Sequence, residues 1–103
     1  MTVELTAKNF NETVGKGIVL VDFWADWCGP CRLFSPTFDQ LAEENPGITF
    51  GKLNVDDYPE IASRHGVMSI PTLLFFVDGT HKDTTIGVVS KAVVEKKIKL
   101  LRS

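Results

Sequence analysis

Ile18 to Trp24 (IVLVDFW) constrains the fold more than any other segment. Both of its alternating faces are apolar apart from Asp22, the pattern of a central strand covered on both sides. Thr72 to Val77 (TLLFFV) is a second run of the same kind. A chain with two such strands needs helices above and below a sheet. Its 103 residues fit one domain and leave no room for two. With 44% hydrophobic and 23% charged residues, the chain can bury a core without staples, so its two cysteines need not be structural.

The remaining segments supply the other elements. Val3 to Leu5 reads as a short strand. Thr6 suits a helix cap, with Phe10 and Val14 one turn apart behind it and Gly15 and Gly17 breaking the helix. After WCGPC a helical stretch runs to about Asn45, in which Phe34, Phe38, Leu41 and Ala42 follow the spacing of a buried stripe. Pro36 lies inside that stretch, and the stripe continues past it, so a kink is expected and not a stop. Ile48 to Val55 reads as a strand. Pro59 opens a short helix to about His65, and Gly66 ends it. Asp78-Gly79 is a hairpin turn leading to a strand near Lys82 to Ile86, and Ser90 caps a last helix carrying Val94, Ile98 and Leu101. The expected order, β-α-β-α-β-α-β-β-α, gives an α/β fold with a mixed sheet between helices.

Eleven basic and thirteen acidic residues leave a net charge of −2 with no basic stripe, which argues against a nucleic-acid partner. No apolar run approaches the ~20 residues that span a bilayer, so no membrane is expected. The first twenty residues lack the features of a signal peptide, and the expected address is cytoplasmic, with a monomer as the default state. In a reducing cytosol, a close cysteine pair is expected to be catalytic or metal-binding, not a static bridge.

That pair is Cys28 and Cys31, in WCGPC between a buried strand and a helix. If the helix begins there, the two lie on one face at ~5–6 Å, within the ~4.4–6.8 Å Cα range of a disulfide. The helix N-terminus offers partial positive charge and unpaired N–H groups that favour a thiolate, the attacking species. Pro30 fits the first turn because it has no N–H to leave unpaired. The enclosed ring is too small for the bridge to add much stability. Two other readings compete. Zinc would need two more ligands, and only His65 and His81 are available, at unsuitable spacing; a structural bridge is disfavoured by ring size and compartment.

From Val21 to Cys31 (VDFWADWCGPC) the sequence closely resembles the thioredoxin family, and the match extends through KLNVD at Lys52 to Asp56, Ile70-Pro71-Thr72, Asp78-Gly79 and Gly87. The resemblance implies a five-stranded sheet flanked by four helices. It makes Cys28 the nucleophile and Cys31 the resolving thiol of a protein-disulfide reductase. It also implies that electrons come from NADPH through a thioredoxin reductase, by protein contact, since the chain has no glycine-rich phosphate loop and no bound cofactor is expected. The remaining partners would be disulfide-containing protein substrates.

The family likeness places Asp22 behind Cys31, with Lys52 near it; an unpaired buried carboxylate should titrate high, as proton exchange with Cys31 requires. It also implies a flat docking surface of Trp27, Gly29, Pro30, Ile70, Pro71, Gly87 and Val88, with the Ile70 backbone pairing an extended target segment. Sequence physics alone makes the Ile70-Pro71 bond trans, whereas the family turn is cis. Trp24 fits core packing, His65 and His81 read as surface residues, and Met68 reads as packing or rim. Arg32 and Val88 stand where the family more often has Lys and Ala, and Val88 would narrow the groove. Two alternative functions remain: a disulfide oxidase or isomerase, and a binding module without turnover.

Overall fold

The computed structural model describes residues 1–102. Five strands and four helices alternate along the chain: β1 (Thr2–Glu4), α1 (Phe10–Val14), β2 (Ile18–Trp24), α2 (Gly29–Glu44), β3 (Thr49–Asn54), α3 (Pro59–Arg64), β4 (Thr72–Val77), β5 (Thr80–Ile86) and α4 (Lys91–Arg102). They form one mixed sheet in the order β1-β3-β2-β4-β5. β1, β3 and β2 run parallel, while β4 and β5 run antiparallel to their neighbours.

β2 lies at the centre, and its alternation sorts the two cores. Val19, Val21 and Phe23 point to one side, where they pack with Phe10 and Val14 of α1 and Ile61 of α3. Leu20 points to the other side, with Phe34, Phe38 and Leu41 of α2 and Val94 and Ile98 of α4. Asp22 shares the parity of Leu20 and so faces the α2 side. Full burial of one such aromatic or aliphatic side chain contributes about 1.5–3 kcal/mol, and most of the stability sits in these two layers.

Four local features differ from the sequence reading. The first helix starts at Phe10, because Ala7 to Asn9 form a turn. The cap is Asn9 and not Thr6: Asn9 Oδ1 accepts from Thr6 N at 2.7 Å, and Thr6 contributes its carbonyl, which accepts from Phe10 N at 3.0 Å. β5 begins two residues before Lys82, because ladder pairing resumes at Thr80 directly after the Asp78-Gly79 turn. That turn has positive φ at both residues, as a tight hairpin of this hand requires. His65 is half-buried and not fully exposed, its ring packed on Phe10 and Phe76. Burial pushes its pKa down, because the charged form loses solvation.

Gly51 on β3 makes room for a buried neighbour. A Cβ built there would come within 2.6 Å of the Leu5 side chain, which is itself fully buried. α2 runs unbroken through Pro36 to Glu44. Ser90 accepts from Val93 N at 3.3 Å at the head of α4, as its position predicts.

Candidate active site

β2 ends at Trp24, and the chain turns through Ala25 to Trp27 into α2. Cys28 is the N-cap residue of that 16-residue helix, with extended backbone angles. Its sulfur receives the Cys31 N–H at 3.2 Å, one of the donors a helix start leaves unpaired. Pro30 sits in the first turn, where the missing N–H costs nothing. Cys28 and Cys31 are joined as a disulfide with Cα atoms 5.2 Å apart, so the pair meets the geometric condition that the spacing sets. No group of three or more metal-binding side chains occurs among the described residues.

The two cysteines line different cavities. Cys28 lines an outer groove of about 460 Å³ together with Trp27, Gly29, Pro30, Met68 and Ile70. Cys31 lines an inner cavity of about 160 Å³ with Asp22, Trp24, Arg32, Ser35 and Lys52.

In the groove, the Trp27 ring is 68% exposed and is tethered by its indole N–H to Asp56 Oδ2 at 2.9 Å. A large apolar side chain held in water by a hydrogen bond is a contact surface and not core. Met68, 96% exposed, forms the rim. The Ile70-Pro71 bond is cis, as the family turn implies and the general preference does not. The Ile70 carbonyl lies 3.9 Å from Cys28 Sγ. Gly87, with φ of +84°, donates its N–H to the Pro71 carbonyl at 2.8 Å and so braces that turn. Pro71, Gly87 and Val88 stand outside the groove lining, so the docking surface expected from sequence divides into a groove and an exposed flank at Val88.

Asp22 is 1% exposed, and its Oδ1 finds no hydrogen-bond partner among the described residues. Burial therefore dominates, raising its pKa from 3.8 to about 7, with the Lys52 charge opposing and the Asp39 charge reinforcing the rise. Lys52 is Asp22's neighbour in the β2–β3 ladder. Its ammonium, however, donates to Ser35 Oγ at 2.8 Å and pairs with Asp39 Oδ1 at 3.2 Å. Sequence reasoning missed Ser35 and Asp39. The available signal was their spacing, since with Cys31 they fall at i, i+4 and i+8 on one helix row. Trp24 is half-buried: it packs beside Ala25 and the two cysteines and lines the inner cavity, so it is only partly core.

The comparisons with known proteins agree with this geometry. The thioredoxin family model matches residues 1–100. A thioredoxin of Chlamydia caviae is 43% identical over 91 residues, covering 88% of this chain and 89% of that one. A thioredoxin of Porphyra purpurea is 52% identical over 81 residues, covering 78% and 76%. The chloroplastic M-type thioredoxin of Pisum sativum is 53% identical over 81 residues, or 78% of this chain and 47% of that protein. A solved chain from work on the thiol-resolving mechanism of yeast mitochondrial 1-Cys peroxiredoxin via the glutathione and thioredoxin systems superposes with a TM-score of 0.87, at 30% identity, covering 95% of this chain and 93% of that one. With the family model spanning almost the whole chain and a cysteine pair at the head of α2, the chain belongs to the thioredoxin family and is a thiol–disulfide oxidoreductase.

Proposed function

We propose that this chain reduces disulfides in other proteins, with Cys28 as nucleophile and Cys31 as resolving thiol, and that a thioredoxin reductase drawing on NADPH restores the dithiol. One observation carries the division of labour: Cys28 lines the open groove, and Cys31 lines the inner cavity with Asp22. In the reduced protein the Cys28 thiolate, favoured by the α2 N-terminus, attacks one sulfur of a target disulfide. A mixed disulfide forms, and the other target sulfur leaves as a thiolate. Asp22, as carboxylate, takes the Cys31 proton through the inner cavity, which is roomy enough to hold water. The Cys31 thiolate then attacks Cys28 Sγ, closing the Cys28–Cys31 disulfide and expelling the second target thiolate. Two electrons pass to the target, and its two thiolates take up two protons, one released from Cys31 through Asp22 and one from the solvent that received the Cys28 proton. Lys52 acts as a nearby charge on Asp22.

Trp27, Gly29, Pro30 and Ile70 receive the target beside Cys28, with the Ile70 backbone offered to an extended segment. Pro71 and Gly87 hold that edge, and Val88 lies at its flank. The chain works as a monomer in a reducing, cytoplasmic setting, which subcellular fractionation and light scattering would check. The test of the reading is insulin disulfide reduction, first with dithiothreitol and then with NADPH plus a thioredoxin reductase. Turnover in both settings that is lost in Cys28→Ser supports it; unchanged turnover in that variant, or none in either setting, overturns it.

A further inference from the structure

Lys52 reaches from β3 to the row on α2 that begins at Cys31, and two anchors hold its ammonium there. Ser35 Oγ accepts from Nζ at 2.8 Å, and Asp39 Oδ1 lies at 3.2 Å. The anchors differ in place. Ser35, one turn beyond Cys31, lines the inner cavity with Asp22; Asp39, one turn further, does not, and its side chain is 55% exposed. The ammonium is thus shared between an inner hydroxyl and an outer carboxylate. The charged groups that face Asp22 are Lys52 from β3 and Arg32 and Asp39 from α2. Arg32 is turned to the Asp26 carbonyl at 2.6 Å, and β4 places only Leu73 opposite Asp22. Lys52 is therefore the cation whose position matters most to Asp22.

We infer that Ser35 and Asp39 are positioning residues that fix the distance of the Lys52 ammonium from Asp22, and so tune proton exchange between Asp22 and Cys31. This rests on the role proposed above for Asp22. The two anchors pull in opposite senses. Removing the outer carboxylate leaves Lys52 to the inner anchor, nearer Asp22, which favours the charged carboxylate. Removing the inner hydroxyl leaves Lys52 to Asp39, farther from Asp22, which disfavours it. Asp39 also raises the Asp22 pKa by its direct field, which solvent and salt screen because the side chain is exposed, so the part carried through Lys52 is the part that a variant lacking Lys52 must lose.

The test is a carbon-13 NMR titration of side-chain carboxyls in the oxidised protein, with the Asp22 resonance assigned by its loss in Asp22→Asn. Asp39→Asn should lower the Asp22 midpoint by about 0.5–1 unit, and Ser35→Ala should raise it. In a Lys52→Met background, Asp39→Asn should move the midpoint by less than half as much. The pH profile of insulin reduction should shift in the same directions. Unmoved midpoints in both single variants, shifts of the same sign, or an undiminished Asp39→Asn shift without Lys52 would each overturn the inference. Asp22→Asn turnover separates the two levels: if it matches the parent from about pH 6 to about 9, the catalytic role of Asp22 fails, while the clamp is still judged on the midpoints alone.

Discussion

Replacing Asp22 by Asn should make the protein more stable, and by an amount that depends on pH. The carboxyl titrates at about 7 in the fold, against 3.8 for a solvated aspartate, chiefly because it is buried without a hydrogen-bond partner for Oδ1. The folded state therefore binds a proton that the unfolded chain has already released between about pH 4 and pH 7. More protons on the native state means that stability falls as pH rises through this window, then levels off above it. The stability lost has a ceiling of about 4 kcal/mol at pH 8, is about 2 kcal/mol near pH 5.5, and vanishes below about pH 4. Asn is neutral at every pH and nearly the same shape, so Asp22→Asn should recover that difference. Urea unfolding of the oxidised protein at a series of pH values reads it directly, as a shift in midpoint at constant m-value. A stability difference that stays flat from about pH 4 to about 8, or a variant less stable than the parent at about pH 8, would refute the reasoning that Asp22 is a desolvated, unpaired acid.

Other consequences are as direct. Gly51→Ala should cost about 1–3 kcal/mol in urea unfolding, because a Cβ at 2.6 Å must displace the buried Leu5 side chain; an unchanged midpoint would show that β1 yields freely. Cys31→Ser should halt exchange after the first attack and accumulate a covalent adduct with target, seen on a non-reducing gel and released by dithiothreitol, whereas Cys28→Ser should give none. Trp27→Ala should change stability by less than about 1 kcal/mol, since the ring is mostly exposed, yet raise KM for protein substrates, as steady-state kinetics would show.

The parts of the fold written as period and punctuation were legible. The doubly apolar runs at Ile18–Trp24 and Thr72–Val77 became β2 and β4, and the stripe Phe34, Phe38, Leu41 packs under the sheet as its spacing demands. The cysteine pair was legible because helix geometry alone brings i and i+3 together. Features set by contacts distant in sequence were not. Nothing local says that Lys52 reaches Ser35 and Asp39, or that Gly51 clears space for Leu5. His65 looked like a surface residue because a short helix ending in Arg-His-Gly gives no hint of the Phe10 and Phe76 rings waiting for it. The cis bond at Pro71 came from resemblance alone, and residue-level physics pointed the other way. Splitting the two cysteines between an outer groove and an inner cavity needed the packed structure, since the sequence shows only that they are close.

The most direct measurement is a redox titration of the purified protein in dithiothreitol buffers of graded potential, with the free thiols alkylated and counted by mass spectrometry. The account predicts one reversible transition between the Cys28–Cys31 disulfide and the dithiol, steepened to about 30 mV per decade by transfer of two electrons, and centred below about −230 mV, where a protein-disulfide reductase must lie. Cysteines that fail to interconvert, or a midpoint near about −120 mV as in a strong oxidant, would contradict it.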